Sequence, residues 1–498
     1  MSAERNSKSS DAERRAVIDI GSNSVRLVIY DGPRRAPFSI CNEKALCGLG
    51  RDMTEDGKLN PEAVDFALLT LRRFARILKE HGAPPVHAIA TAAVREAKDG
   101  EKFVTAVKKL GFDVSVITGQ EEAAFAAMGV VSYEPGATGI AGDMGGGSLE
   151  LVALKKGEAG ESISLPVGPL SIMRQAPGGL TDAEAFIEKE LDQVDFLKTQ
   201  KCETLYAVGG AWRAVARIHM RLRSYPLSVL HHYELTSAQV LEICELVAHQ
   251  SRRSLEHIPG IPRRRLDTLP YAAMVLKSVL KRTKAKKVVV SAGGVREGML
   301  YRALPKEIRK QDPLIEGCRF YADRLEPDPY FGEAAFEMIE PLFRQDKDDG
   351  SRIRFATCLL IDIGAYFHPD LRARQAFDVA LRSPLVGLSH QDRVWAALAL
   401  YCRHQGRSTS PPDEQATGLL SWDQQQNATR YGLAMRFAAT LSPKMGAPLK
   451  GCRLENEPGQ LIFRAPADRE ALMGETPRKR LDALAAAFEA EAIEIYDG

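Results

Sequence analysis

The pattern of hydrophobic and polar positions predicts alternating strands and helices through roughly the first 310 residues. Short apolar runs predict strands at 16–20, 25–30, 38–43, 86–90, 114–117, 138–144, 149–154, 162–167, 205–208 and 288–290. Helical periodicity occupies most of the longer intervals, as in 61–82, where an Asn-Pro start and a Gly end enclose an amphipathic segment. This alternation indicates an α/β fold.

One motif occurs twice in this pattern, each time between two predicted strands. The spacing Asp-x-Gly-x-x-Ser-x-x-Leu runs from 19 to 27 and again from 143 to 151. An internal repeat of this kind indicates two similar lobes. We therefore predict a disordered tail at 1–13, an N-terminal lobe at 14–136, a second lobe at 137–310 and a separate region at 311–498.

Each copy of the motif predicts a hairpin with a glycine-containing turn. Glycine allows positive φ and removes side chains, so consecutive backbone N–H groups can point into one anion-binding concavity. Asp143 beside the second turn would repel a bare phosphate, which suggests a divalent cation between the two. For one such turn alone, an ordinary hairpin with a charged edge is the alternative. Two such turns would face one phosphate-bearing ligand from both sides.

Two further candidates follow predicted strands of the first lobe. Arg95 lies just past the strand at 86–90, where open α/β sheets bind ligands; the alternative is a solvated surface arginine. Glu121 is either the general base for an attacking water or the N3 residue of a Thr118-x-x-Glu121 capping box. Glu122 is the alternative base.

The second lobe carries a glycine turn followed by a basic helix. Gly209 and Gly210 end a predicted strand, and Arg213, Arg217 and Arg221 follow at four-residue intervals on one helix face. We interpret the turn and its first arginines as substrate-binding, with a solvated charged face as the alternative.

Composition and charge narrow the class of protein. The 498 residues are 45% hydrophobic and 27% charged, without an apolar run of about 18 residues that would predict a membrane span. Eight scattered cysteines form no C-x-x-C pair and indicate reduced thiols in the cytoplasm. Residues 1–310 hold 45 Lys and Arg against 37 Asp and Glu, a net charge of +8, whereas residues 311–498 hold 22 against 28, a net charge of −6. The basic part favours an anionic ligand.

Residues 311–498 have a different pattern. Helical periodicity extends over 312–441, a short β-type region follows at 451–464, and a last helix is predicted over 477–493.

The motifs together resemble those of the exopolyphosphatase / guanosine pentaphosphate phosphohydrolase family. The similarity covers roughly residues 14–305 and rests on five segments in the same order and spacing, namely 19–27, 90–95, 118–123, 143–150 and 291–298. It implies two ribonuclease H-like lobes of the actin-like ATPase superfamily, with the active site in the cleft between them. It also implies a mainly α-helical HD-like C-terminal region, whose H-E-I-G element reads Ile361-Asp362-Ile363-Gly364 here.

The resemblance also implies roles for individual residues. Asp143 and Glu150 would serve the Mg²⁺ and phosphate site, and Glu121 would be the base. Arg95 would hold terminal phosphates together with Gly21, Ser22, Asn23, Ser24, Gly145, Gly146, Gly147 and Ser148. A monovalent cation such as K⁺ is a further candidate ion.

The function expected from these residues is Mg²⁺-dependent release of orthophosphate from the end of inorganic polyphosphate by a cytoplasmic homodimer that binds no nucleic acid. Hydrolysis of guanosine pentaphosphate (pppGpp) by the same residues is the first alternative. An actin-like ATP-binding kinase or chaperone ATPase is the alternative from another class.

Overall fold

A computed structural model describes residues 14–50, 53, 56–199, 202–258, 263–344, 350–407 and 412–497. The chain divides into two compact units, residues 1–311 and 312–498. The predicted tail at 1–13 lies outside the described residues. No described helix is both long enough and apolar enough to cross a membrane.

The first lobe is a five-stranded sheet with four helices among its described residues. Its strands are β1 Arg15–Ile20, β2 Val25–Asp31, β3 Phe38–Ala45, β4 Val86–Ala90 and β5 Val114–Val116. Its helices are α1 Pro61–Glu80, α2 Ala92–Glu96, α3 Gly100–Lys109 and α4 Gly119–Tyr133. Asn60 caps α1 by accepting from the N–H groups of Glu62 and Ala63, as the Asn-Pro start predicts.

The second lobe is a six-stranded sheet with nine described helices. Its strands are β6 Gly139–Met144, β7 Leu149–Lys155, β8 Glu158–Leu165, β9 Thr204–Val208, β10 Glu234–Thr236 and β11 Lys287–Val290. Its helices are α5 Pro169–Gln175, α6 Leu180–Asp192, α7 Phe196–Thr199, α8 Gly210–Leu222, α9 Ser237–His249, α10 Arg252–Glu256, α11 Leu269–Thr283, α12 Val295–Arg302 and α13 Lys306–Lys310.

The two sheets repeat one topology, which agrees with the repeated motif. The first has the order β3-β2-β1-β4-β5, and the second has the order β10-β11-β9-β6-β7-β8. In each, three strands form an antiparallel meander and the first of them pairs in parallel with the strand that follows the hairpins. β10 is an additional antiparallel edge strand of the second sheet.

Apolar side chains from the strands and helices form the core of each lobe. In the first lobe Ile18, Leu27 and Phe74 are at most 1% exposed and belong to one buried cluster. In the second lobe Trp212 packs among the strands and donates its indole N–H to the carbonyl of Ala272, 2.9 Å away. These cores fix the strand ends that carry the candidate site residues.

The C-terminal unit is mainly helical, as predicted. Its helices are α14 Pro313–Leu325, α15 Phe331–Phe343, α16 Ser351–Leu359, α17 Arg372–Arg382, α18 His390–Gln405, α19 Glu414–Thr417, α20 Trp422–Leu441 and α21 Glu475–Ala487. Its strands β12 Arg453–Glu457, β13 Gln460–Pro466 and β14 Glu491–Asp497 form one sheet.

The end of this unit corrects one sequence expectation. A helix was predicted over 477–493, but α21 ends at Ala487 and β14 pairs in parallel with β13. Glu489 has a φ of 56°, which takes the chain out of the helical path. The segment resembling H-E-I-G places Asp362 in the interior, where its carboxylate lies 3.0 Å from Arg403 and 3.1 Å from Lys444.

Candidate active site

Two hairpin turns, one from each lobe, approach each other. In the first turn the N–H of Gly21 donates to the carbonyl of Ser24 over 3.0 Å, and in the second the N–H of Gly145 donates to the carbonyl of Ser148 over the same distance. A methyl group placed on Gly146 would lie 3.6 Å from the Cβ of Asn23. The repeated turns therefore face one another across a cleft.

The glycines of these turns are needed for their small size and not for an unusual backbone conformation. None of Gly21, Gly145, Gly146 and Gly147 has positive φ, which corrects that part of the sequence interpretation. Gly209 at the end of β9 does require glycine, because its φ is 95° and a Cβ there would collide with the carbonyl of Met144. Small residues thus let three segments of backbone meet around the cleft.

The cleft has a volume of about 210 Å³ and collects most of the predicted site residues. They are Gly21, Ser22, Asn23, Ser24, Asp143, Gly145, Gly146, Gly147, Ser148, Glu150, Gly209, Gly210 and Arg213. Three predicted residues, Arg95, Glu121 and Arg217, are not part of its lining.

Buried and half-buried carboxylates form part of the cleft lining. Strand register places Asp143 opposite Glu150 across the second hairpin. Burial raises the pKa of Asp143 to about 6. Burial and the neighbouring Asp143 raise the pKa of Glu150 to about 7, although Ser164 donates a hydrogen bond of 2.9 Å to its carboxylate. Ionisation of these two carboxylates is therefore unfavourable in the protein alone, and a bound cation would stabilise their ionised forms.

Glu122, at the start of α4, belongs to the same part of the lining. It is 8% exposed, and burial together with the charges of Glu150 and Asp143 raises its pKa well above the ordinary value. Arg95 lies behind it, 3.6 Å from its Oε2, and donates to the carbonyl of Ile117 over 2.7 Å. Arg95 therefore contacts the carboxylate and not the cleft directly.

Glu121 points elsewhere, which argues against its predicted role as the base. Its Oε2 accepts from the N–H and the hydroxyl of Thr118, at 2.9 and 3.0 Å, and completes a capping box at the start of α4. These hydrogen bonds lower its pKa, and the residue is exposed. The carboxylate of Glu121 is thus bonded within the helix cap, whereas the next residue, Glu122, lines the cleft.

Four arginine side chains make part of the cleft lining cationic. Arg26, Arg213, Arg265 and Arg296 line the cleft, and Arg296 donates to Asp19 over 2.8 Å. Of these four arginines, only Arg213 is predicted as a site residue from the sequence. A signal for Arg26 was present, because the repeat sets it opposite Asp19 in the first hairpin, as Glu150 is set opposite Asp143 in the second.

Arg217 lies outside this site. It is exposed and, with Arg221, lines a separate groove of about 100 Å³ beside Tyr225 and Leu230. Arg213, one turn earlier on α8, faces the cleft and donates through Nε to the carbonyl of Gly209 over 3.2 Å. The row of arginines on α8 therefore begins in the cleft with Arg213 and continues outside the cleft with Arg217 and Arg221.

The chemistry of the acidic part of the lining suits a divalent cation. Among the described residues no three His, Cys, Asp or Glu side chains are grouped as a metal site. Mg²⁺ in phosphate-processing sites commonly takes only one or two protein carboxylates, with water and phosphate oxygens completing its shell. Asp143 and Glu150 can provide such carboxylates, since Glu150 is buried, Asp143 is half-buried, and both lie beside the second glycine turn.

Comparison with known proteins decides the family. The sequence profile of the Ppx/GppA phosphatase family matches residues 28–307, more than half of the chain. The chain belongs to this family. A second profile, described as the C-terminal region of exopolyphosphatase, matches residues 341–492.

Individual Ppx/GppA relatives agree with this assignment. An exopolyphosphatase from Cytophaga hutchinsonii has a TM-score of 0.54 and 28% identity, covering 58% of this chain and 97% of that one. Exopolyphosphatase 1 of Mycobacterium tuberculosis is 24% identical over 307 residues, which are 59% of this chain and 89% of the relative. Retrograde regulation protein 2 of Saccharomyces cerevisiae is 28% identical over 431 residues, 78% of this chain and 72% of the yeast protein. The lobes thus have the predicted actin-like ATPase fold.

Proposed function

We propose that this protein is an exopolyphosphatase, which hydrolyses the terminal phosphoanhydride of inorganic polyphosphate and releases orthophosphate. The observation that carries the proposal is the cleft itself, whose lining combines two glycine turns, four arginines and the buried carboxylate of Glu122. The match of residues 341–492 to the C-terminal region of exopolyphosphatase supports polyphosphate as the substrate.

Hydrolysis of a phosphoanhydride requires charge neutralisation and a positioned water. The turn N–H groups and the four arginines would bind the terminal phosphates and stabilise the negative charge that develops on them. Glu122 would accept the proton of the attacking water, because its raised pKa brings a carboxylate closer to the range of an effective base at neutral pH. Arg95 would hold that carboxylate in place.

A Mg²⁺ ion held by Asp143 and Glu150 would neutralise phosphate charge. Asp143→Asn should therefore raise the Mg²⁺ concentration needed for half-maximal activity, because an amide carries no charge to balance the cation. Asp192→Asn, at an exposed aspartate of α6 paired with Arg282, serves as the control. An unchanged magnesium titration in Asp143→Asn would show that Asp143 does not hold the metal.

The substrate is tested by measuring orthophosphate release from long-chain polyphosphate, pppGpp and ATP in parallel, each with Mg²⁺ or with EDTA. We expect the highest kcat/KM with polyphosphate and a loss of activity in EDTA. Preference for pppGpp would assign the protein to the alternative phosphohydrolase, and ATP-restricted turnover would support the kinase or chaperone class.

We also propose a cytoplasmic homodimer. All eight cysteines are free, which suits a reducing compartment. Light scattering after gel filtration would measure the oligomeric state, and a mass of one chain at micromolar concentration would contradict the dimer.

A further inference from the structure

The two lobes exchange helices. Helix α4 follows β5 of the first sheet, yet its Ala123, Ala127 and Val130 pack on β6, β7 and β9 of the second. Helix α12 follows β11 of the second sheet, yet Leu300 packs against Val17 and Val28 of the first. Each helix therefore belongs by chain order to one lobe and by packing to the other.

The exchanged helices cross in close backbone contact. A Cβ on Gly129 of α4 would collide with the carbonyl of Gly294, and a Cβ on Gly298 of α12 would collide with the carbonyl of Phe125. Each helix brings a charged residue to the cleft near its start, Glu122 from α4 and Arg296 from α12. The placement of these two side chains depends on where the helices sit.

Arg296 connects the lobes at the cleft. Its guanidinium donates to Asp19 of β1 over 2.8 Å, and its Nε is buried without a hydrogen-bond partner among the described residues. Its side chain is 15% exposed, so little water is available to hold it. The direction of this side chain must therefore be set by α12 and by the groups packed around it.

The next residue, Glu297, ties α12 to the first lobe. One carboxylate oxygen accepts from the N–H of Gly294 over 3.0 Å, at the start of the helix. The other accepts from the hydroxyl of Tyr30 on β2 over 2.6 Å. Tyr30 is 3% exposed and Glu297 is 9% exposed, so this contact is shielded from water and joins the two lobes.

We propose that Tyr30 and Glu297 are positioning residues, which hold α12 against the first lobe so that Arg296 meets the phosphates of the substrate. This inference rests on the proposed function for its kinetic readout. It assigns Tyr30 and Glu297 an effect on turnover that they exert through Arg296, without touching the substrate themselves.

A double-mutant cycle tests this coupling on the full chain. Tyr30→Phe removes the hydroxyl and leaves the ring, and we expect kcat for polyphosphate to fall about ten- to hundredfold, because small misplacements of a substrate-binding group cost about this much. In an Arg296→Ala background the same change should alter kcat by less than about twofold, since the residue through which it acts is gone. An equal loss in both backgrounds would overturn the proposal.

Tyr301→Phe is the matched control. Tyr301 also lies on α12, and its hydroxyl donates to the carbonyl of Arg309 over 3.4 Å, away from the cleft. Its loss should change kcat less than about twofold in either background. If Tyr301→Phe lowered kcat as much as Tyr30→Phe, the effect would be general loosening of α12, and the proposal would be wrong.

Glu297→Gln separates hydrogen bonding from charge. The amide can still accept from Gly294 and donate to the Tyr30 oxygen, so we expect a smaller loss of kcat than in Tyr30→Phe. A larger loss in Glu297→Gln would overturn the hydrogen-bond account. Thermal unfolding of each variant, measured in parallel, normalises kcat to folded protein.

The positioning role can also be tested by substrate binding if the protein proves not to hydrolyse polyphosphate. If the wild-type protein releases no orthophosphate from polyphosphate, the proposed function fails, and the same cycle is scored by calorimetric binding of a methylene-bridged tripolyphosphate analogue. We expect Tyr30→Phe to weaken that binding only when Arg296 is present. Additive losses of affinity would reject the positioning role independently of turnover.

Discussion

At the scale of single residues, Glu121 and Glu122 show how neighbours in a chain acquire different chemistry. Successive residues of an α-helix point about 100° apart, because 3.6 residues complete one turn. At the start of α4 this rotation leaves Glu121 on the exposed side, bonded to Thr118, and turns Glu122 into the cleft beside Glu150 and Asp143. Burial then gives Glu122 a raised pKa, whereas hydrogen bonds give Glu121 a lowered one.

This difference predicts opposite outcomes for the same substitution at the two positions. Glu122→Gln should lower kcat by about 10²–10⁴, because it removes the proton acceptor, while binding of polyphosphate stays near normal. Glu121→Gln is the matched control: glutamine also serves in capping boxes, so turnover should stay close to wild type with a slightly lower unfolding temperature. Loss of turnover in Glu121→Gln alone, with a normal unfolding temperature, would return the base to Glu121.

His404 gives the C-terminal unit a pH dependence. Burial and surrounding cations lower its pKa to about 2; the cations are Arg403, Lys444, Arg372 and Arg436. The folded protein therefore keeps His404 neutral, while the unfolded chain binds a proton below about pH 6.5. Stability contributed by neutral His404 is complete above pH 6.5 and is lost as the pH falls.

Compared with His404→Gln, the wild-type protein should lose up to about 1.4 kcal/mol of unfolding free energy per pH unit below pH 6.5. Urea unfolding of both full-length proteins between pH 7.5 and 5.5 would measure this. The raised pKa of buried Glu326 acts in the opposite direction, but it is common to both proteins and cancels in the difference. Parallel stability curves would show that folding does not lower the pKa of His404.

At the scale of elements, α8 connects the cleft with a second groove. Arg213 lines the cleft, whereas Arg217 and Arg221 lie one and two turns further along and line the groove beside Tyr225. Arg223, which follows the helix, is paired with Glu242 at 3.0 Å. We therefore expect a polyanion whose end is bound in the cleft to follow the helix outward past Arg217 and Arg221.

Neutralising both groove arginines, as Arg217→Gln with Arg221→Gln, should weaken binding of long polyphosphate more than of short chains. The slope of log affinity against log salt should become shallower by about one for each lost phosphate contact, by the ion-release relation known for nucleic acids. Arg223→Gln, which removes an arginine already paired, is the control. Equal effects on long and short chains would place the polymer elsewhere.

At the scale of the whole molecule, the two units differ in net charge, and the Cytophaga relative aligns with only part of this chain. The lobes carry the net charge of +8 and the C-terminal unit carries −6, so bulk charge favours the lobes for binding a polyanion. The alignment with the Cytophaga relative includes 97% of that protein but only 58% of this chain. A chain close to the size of the two lobes can therefore form a complete member of the fold.

Deleting 312–498 should leave hydrolysis of short polyphosphate intact and lower affinity for long chains, provided that circular dichroism shows folded lobes. Phosphate release from chains of defined length would measure both effects. Undiminished affinity for long chains would confine the polymer site to the lobes. A folded but inactive truncation would show that catalysis requires the C-terminal unit.

The sequence by itself determined the α/β repeat, both glycine hairpins and the position of Asp143 beside the second turn. These features depend on strand periodicity, turn composition and hairpin register, which neighbouring residues set. Only the tertiary structure decided that Glu122 and not Glu121 enters the cleft, that Arg265 and Arg296 join Arg213 there, and that Arg217 does not. Those outcomes depend on helix rotation and on the exchange of α4 and α12 between the lobes. Contacts such as Tyr30 with Glu297, 267 residues apart, leave no local pattern in the chain because packing alone brings them together.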